Sequence, residues 1–578
     1  MTCPLFIYNT MGDTQFVTEE TSNPLMTKLQ NERKTAFDYQ ERRHDAWDEI
    51  YRLYRNIVRT NRLTQRQAVY IPLMKETIKT NLSKVDDPPN IDWVEMGGDL
   101  EKAMLVQEIW NDDYTFFNYE GVDMQDKKTV LTYGRGFKKL LLDGDRVRVA
   151  AMDVYDIIID PLTNPLDIET ARFVIHQNIF KSLKEIMNDK KYSAKGKASL
   201  KSYFETDKGI AQSSQNRQAW EDKMERMKDA GVNEADLDDF AGGDVIVNCT
   251  EHLTQVWEKD KWVRKGILYA DTEIILIEAS LKDLIGVDFW PYVSWAEDVE
   301  TSDWYSDGLG DLILTPNKLL NIWFSQLVEN RTLRNFQMHW YDSTNENFTP
   351  QTYEPGPGRM LPAPGDPNKT ITPVEISGLD ETMTAIDFLT KIIERSSAAT
   401  AIEKGTSERN QITLGEVQML VGKSMERTLA MAKFYRRSWE ELAYKWVGMS
   451  KANATDGREL FKMSSKGKLW KRKAYPKEWV TGEYKPFVRS SSEQDEEKTQ
   501  SVQRFQFAMG MFPENTSLKR IGQKRILDVL DLTAEEMREI SDEEKQRIEE
   551  ASELLELAPQ PIPGTPEAPP AQPPIVQQ

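Results

Sequence analysis

At 578 residues the chain is too long for one hydrophobic core, since single cores stop growing near ~250–300 residues, so several packed regions are expected. Its formal charge of -20 excludes a tight nucleic-acid binder, which needs a basic footprint to displace phosphate counterions. That charge does not exclude a protein that surrounds DNA without gripping it, and a hydrophobic fraction of 39% makes most of the chain a packed globular protein.

Leu25, Leu29, Ala36, Trp47, Tyr51, Tyr54 and Ile57 recur at helical offsets among dense charge, which predicts helix over 25–60 after an N-terminal arm, 1–24. A second helix is expected around 66–82, stopped by the breaker Asp86-Asp87-Pro88-Pro89, and a third near 98–127. From about 128 the period becomes alternating. Lys138–Leu142, Val147–Met152, Ile157–Ile159 and Phe173–Phe180 are predicted strands of one sheet, punctuated by Asp143-Gly144-Asp145 and Asp160-Pro161. Residues 181–240 are polar and helical with a loose Lys- and Ser-rich middle around 189–215, the pattern of an inserted surface excursion. Strands return at Val245–Asn248, Leu253–Glu258, Trp262–Tyr269 and Ile274–Ile277, and end at Trp290-Pro291.

Gly308–Trp340 is one long helical stretch, with Leu312, Leu319, Trp323, Leu327, Leu333 and Phe336 as its apolar stripe. Pro316 either begins the main part of this helix or kinks it. Residues 341–378 are a Pro- and Gly-rich insert, containing Glu354-Pro355-Gly356-Pro357-Gly358 and one short strand near Ile371–Ile376. Helix 379–399 follows, with Met383, Ile386, Leu389 and Ile393 inward, and then a charged connector, Ala401–Gln411. The longest helix spans 413–449, with capping-box spacing at Thr413 and Glu416, and would be roughly 55 Å long. Strands are expected in Leu460–Lys473 and Trp479–Val488, helices near 494–510 and 516–530, and two acidic helices that begin at Thr533 and Ser541. Pro559–Gln578 has the composition of a disordered tail.

No catalytic constellation accompanies these elements. There is no phosphate-binding Gly-Lys-Ser/Thr loop and no Gly-x-Ser-x-Gly elbow. Gly308-Leu309-Gly310 and Gly134-Arg135-Gly136 read as turns. His44, His176, His252 and His339 are scattered, and Asp143 and Asp145 flank a hairpin glycine, so neither a metal nor a cofactor is expected. The run Lys466–Lys473, with Trp470, could touch phosphate but fits the exposed face of a hairpin better. Trp257, Trp262, Trp290, Trp295 and Trp304 read as core or subunit-interface anchors. Only Cys3 and Cys249 are present, which suits a reducing compartment, and neither a signal peptide nor a membrane span is expected.

The order of parts carries more than any motif. Glu49-Ile50-Tyr51-Arg52-Leu53-Tyr54-Arg55 is followed by Ile71-Pro72 and Asp87-Pro88-Pro89. Tyr133-Gly134-Arg135-Gly136 leads into strands ending in Ile159-Asp160-Pro161, and Trp290-Pro291-Tyr292-Val293 precedes Asp307-Gly308-Leu309-Gly310 and the first long helix. This order through most of the chain resembles the portal, or head-to-tail connector, proteins of tailed double-stranded DNA bacteriophages. The resemblance implies an α+β, mainly helical portal fold, assembled into a ring around a central channel. It makes 25–307 a wing, 308–340 and 379–400 two stem helices, 341–378 a clip, 401–412 a tunnel loop and 413–450 a long helix. Residues 451–493 would return to the wing and 494–558 form a crown, while the excursion 181–240 matches no part of the pattern.

A ring of this kind, typically of twelve subunits, would sit at one capsid vertex of the virion after assembly in the host cytoplasm. It would pass double-stranded DNA without sequence specificity. Its partners would be the major capsid and scaffolding proteins, the terminase large subunit docked at the clip (candidates Glu354, Pro355, Gly356, Pro357 and Gly358), and then head–tail adaptor and tail proteins. Terminase would supply the energy, so the chain itself is not expected to be an enzyme. Twelve inner helices ~8–10 Å apart enclose a circle about 31–38 Å across, leaving roughly 20–28 Å after one helix thickness, enough for a duplex. A net-negative subunit would repel phosphate and keep contacts weak. The residues expected to face DNA are Arg331, Arg334, Lys391, Arg395, Lys404, Glu408 and Arg409, with ion pairs to Glu329, Asp387, Glu394, Glu403 or Glu408 as the alternative role for the basic ones. Two other roles fit less well: another structural head–tail protein such as an adaptor, and a metal-dependent DNA-processing enzyme.

Overall fold

The structure, a computed structural model, describes residues 24–57, 69–83, 85, 90–228, 245–270, 274–335, 339–341, 371–373, 380–397, 414–463 and 469–489. The chain divides into two units, 1–462 with 471–491 and 463–470 with 492–578. The second is described only at Met463, Leu469 and Trp470, so the described fold is that of the first. The expected arm, the connector 401–412, the helices of 494–558, the tail and most of the insert 341–378 lie outside the described residues.

The first apolar pattern makes two helices, α1 (Pro24–Glu41) and α2 (His44–Arg55), rather than the one expected. Their partners differ. Gln40, near the end of α1, donates to Val154 O (2.8 Å) and Ile157 O (2.9 Å), whereas α2 turns Trp47, Ile50 and Leu53 into the main core. α3 (Leu73–Leu82) starts just after Pro72, whose fixed φ suits a helix start. The helix expected near 98–127 is also two, α4 (Leu100–Phe116) and α5 (Tyr119–Tyr133). Asn118 breaks it at a left-handed φ of 51° and caps α5 by accepting from Gly121 N (3.2 Å).

The single sheet expected is two. β2 (Arg135–Asp143) lies between β3 (Arg146–Met152) and β9 (Tyr292–Ala296), an antiparallel neighbour that the alternating pattern missed. A five-stranded antiparallel sheet runs β4 (Ile157–Ile159), β5 (Phe173–Ser182), β6 (Ile246–Glu258), β7 (Lys261–Ala270), β8 (Ile275–Ser280). The two strands expected in 245–258 are one, because the buried polar run Thr250-Glu251-His252 interrupts the apolar pattern without interrupting the ladder. A further ribbon pairs β1 (Asn90–Glu95), also missed, with β14 (Tyr484–Arg489), setting Ile91 opposite Val488 and Trp93 opposite Pro486.

The 181–240 excursion is not loose where it is described. It links the adjacent strands β5 and β6 through α6 (Leu183–Asn188), α7 (Ala194–Phe204) and α8 (Asp207–Lys228), so the 189–215 stretch is mostly helix. Its few apolar residues, Ile186, Leu200, Phe204 and Trp220, are all buried. Gly196 lets α7 lie on β8, since a β-carbon there would stand 2.6 Å from Ile275 O. A short helix, α9 (Leu281–Ile285), follows β8.

Helix α10 (Leu309–Asn335) is 27 residues long, holds Pro316 inside it, and ends before the expected Trp340. Strand β10 (His339–Tyr341) then pairs antiparallel with β11 (Ile371–Pro373), and α11 (Asp380–Ser397) packs back along α10. The apolar stripe expected on α10 is not its buried face. Leu312 is exposed and Leu319, Trp323, Leu327 and Leu333 are half-buried, while Ile313, Asn317, Leu320, Asn321 and Ser325 are inside. The inner face is polar because it meets bare backbone: Asn321 Oδ1 accepts from Ile71 N and Ser325 Oγ from Val69 N, each at 3.0 Å. On α11, Ile386, Leu389 and Ile393 are buried as expected, and Met383 is exposed. The long helix α12 (Leu414–Ala452) has 39 residues, roughly 58 Å, and is followed by β12 (Arg458–Met463), β13 (Leu469–Ala474) and α13 (Pro476–Trp479).

Candidate functional site

The α10–α11 hairpin stands on a joint made of glycines. Gly134 closes α5 at a left-handed φ of 89° and touches the chain entering α10. A β-carbon on Gly308 would stand 2.5 Å from Gly134 N, and one on Gly310 would overlap Thr132 O. The two short Gly-x-Gly runs that read as turns therefore interlock backbone to backbone. Between them Arg135 is buried, its guanidinium 3.9 Å above the Trp304 ring and donating to Pro165 O (2.9 Å). Carboxylates hold the first turn of α10, as its dipole favours. Glu297 Oε2 accepts from Leu309 N (2.9 Å) and Asp311 Oδ2 from Gly308 N (3.0 Å). Arg43 of α1–α2 reaches Asp307 (2.6 Å) and Asp311 (2.9 Å). Burial pushes the Glu297 carboxyl up to about 7, with the charges of Asp298 and Asp311 adding to it and the Leu309 hydrogen bond opposing it.

The C-terminal half of α12 is pinned to α4 and α5 by buried carboxylates. Asp123 accepts from Tyr435 Oη (2.7 Å) and Trp439 Nε1 (3.0 Å), and pairs with Lys127 (2.7 Å). Asp113 accepts from Trp446 Nε1 (3.1 Å) and pairs with Arg458. Asp126 accepts from Trp295 Nε1 (2.6 Å) and faces Lys138 (3.1 Å). Burial pushes Asp113 up to about 6, against the opposing charge of Arg458. Sequence reading passed over these aspartates because one acid in a helix looks solvated. The available signal was the aromatic series Tyr435, Trp439 and Trp446, whose O–H and N–H groups need partners once the helix is buried.

The basic residues expected to face DNA divide between the two helices. Arg331 and Arg334 are exposed on the last turns of α10, and Lys391 and Arg395 are exposed on α11. Arg331, Arg334 and Lys391 carry no ion pair among the described residues, so the alternative pairing with Glu329, Asp387 or Glu394 is not made there. Lys404, Glu408, Arg409 and the clip candidates Glu354 to Gly358 lie outside the described residues, as does Lys466–Lys468. Two exposed apolar side chains, Phe388 and Ile392, lie next to Lys391 on the outer face of α11, with Met383 one to two turns earlier and Ile322 exposed on α10.

The remaining candidates have structural surroundings. His176 sits beside Lys139 (3.3 Å) and Glu251, and burial together with the Lys139 charge pushes it down to about 4. His252 pairs with Glu32 (2.9 Å). Asp145, next to the left-handed Gly144 of the β2–β3 turn, accepts from Thr455 Oγ1 (2.9 Å). Among the described residues no group of three His, Cys, Asp or Glu could hold a metal ion, and no helix is long and apolar enough to cross a membrane. Trp290, Trp295 and Trp304 are core anchors, whereas Trp257 and Trp262 are exposed. No protein-family model matches this chain, and no curated protein matches it.

Proposed function

We propose that this chain is the subunit of a ring-shaped channel for double-stranded DNA, a portal protein of a tailed bacteriophage. The observation that carries the reading is the α10–β10/β11–α11 hairpin, in which two long helices run out and back and are joined at their far end by an antiparallel ribbon. A lone hairpin of this kind buries one face only. The exposed Ile322, Met383, Phe388 and Ile392 are then the surface on which neighbouring hairpins would pack side by side. In that arrangement the uncompensated cations Arg331, Arg334 and Lys391 would give sparse, weak contacts to passing phosphate inside a net-negative ring. The insert 341–378 would form the docking tip for the terminase motor and later for tail adaptors, and the body would face the capsid and scaffolding proteins. Light scattering of the purified full chain across a wide concentration range tests the reading. A discrete high-order oligomer, near twelve subunits, is expected, and a monomer that persists at the highest concentration would overturn it.

A further inference from the structure

Four large apolar side chains at one end of the five-stranded sheet stand in solvent. At the β6–β7 turn Trp257 and Trp262 face each other across the hairpin, edge to face at 5.2 Å, and remain 54% and 63% exposed. Leu162 and Leu166 are exposed in the loop between β4 and β5. That loop is fastened to the same end of the hairpin: Arg264 donates to Glu169 Oε2 (2.6 Å), and Gln255 N donates to Arg172 O (3.0 Å). The turn places Lys259 and Asp260 at left-handed φ values of 48° and 60°, a conformation that L side chains rarely adopt. Two exposed indoles on such a turn project outward instead of packing, and Trp is the side chain most enriched at the energetic centre of protein interfaces.

A second exposed apolar surface, of different shape, lies on the β1–β14 ribbon and the start of α4. Val94 stands opposite Lys485 and diagonal to Phe487, while Met96, Leu100 and Met104 continue it along the turn and into the helix. The rims carry opposite charge. Glu101 and Glu483 border the ribbon surface, and Lys259 and Lys261 border the tryptophan tip. Unlike surfaces on one chain join head to tail, and head-to-tail contacts close into rings, whereas a tip meeting a tip would stop at a dimer.

We infer that the Trp257–Trp262 tip of one subunit docks on the Met96–Leu100–Phe487 surface of the next copy, an inference that rests on the ring reading. The tip supplies two rigid anchors, and the lysine rim steers them toward the glutamates.

The test places one cysteine on each surface, Lys261→Cys and Glu101→Cys, in full-length chain carrying Cys3→Ser so that the other native thiol is the buried Cys249. A bifunctional maleimide reagent is added and the products are run on a denaturing gel. The double-cysteine chain is expected to give a ladder of covalent multimers and each single-cysteine chain only monomer. Trp257→Thr with Trp262→Thr is expected to shift assembly to at least ~10-fold higher concentration. Discrete oligomers by light scattering with no ladder from the double variant would overturn the contact while leaving the ring reading in place. Covalent dimers from Lys261→Cys alone would overturn it in favour of a tip-to-tip contact. Absence of any oligomer would overturn both.

Discussion

Glu297 and Gly310 are one side chain and one missing side chain on which the base of the hairpin depends. Burial raises the folded-state pKa of Glu297 to about 7, against 4.5 ordinarily, so folding takes up a proton between those values. The sign follows directly: this contribution to stability is fully present at the acid end and is lost as pH rises through about 7. Denaturant midpoints measured from pH 5 to 8 should fall with rising pH in the native chain, and Glu297→Gln should flatten that slope. Equal slopes in both chains would refute the assignment. Gly310→Ala places a methyl group into Thr132 O and should cost at least ~2 kcal/mol in unfolding free energy. Gly144, with nothing within 4 Å of a β-carbon, should cost only about 1 kcal/mol on the same change, through its left-handed φ alone. These glycines show what was hidden in the sequence. Gly134 and Gly308 are far apart in the chain, and only the fold reveals that each is small because of the other.

At the scale of elements, the attachment of α12 is the most testable feature. Trp446→Phe keeps the ring and removes the N–H that Asp113 accepts, so it should destabilise the chain by about 1–3 kcal/mol. It should also raise the Asp113 pKa further above about 6, because that hydrogen bond holds it down. A double-mutant cycle with Asp113→Asn should find the two changes strongly coupled, and additive effects would show that the indole and the carboxylate do not act together. Element type was legible wherever periodicity was long and apolar, as in α10, α11, α12 and the strands β3, β5 and β7. It failed where polar residues do core work. The buried Thr250-Glu251-His252 run split one strand into two, and Asn317, Asn321 and Ser325 hid the inner face of α10 behind a more obvious leucine stripe. The short strands β1 and β9 were missed because each is completed by a partner distant in sequence, β14 for one and β2 for the other. The helices α7 and α8 looked loose because only Leu200, Phe204 and Trp220 anchor their polar length.

At the scale of the whole molecule, the order helix, insert, helix and very long helix is readable in the sequence, and the described residues keep that order. A single chain cannot disclose what it surrounds, because a channel is a property of the assembled copies. Candidate lumen residues therefore rested on charge and spacing: Arg331, Arg334, Lys391 and Arg395 are exposed on two packed helices, which is the placement a channel wall requires. The acidic excess of -20 suits a conduit that must release what it holds. The most direct test is to image the purified full-length assembly and measure the hole in end-on views. The account predicts closed rings, near twelve subunits around, with a central opening of roughly 20–28 Å. Particles without a hole, rings with an opening under ~10 Å, or open filaments would contradict it.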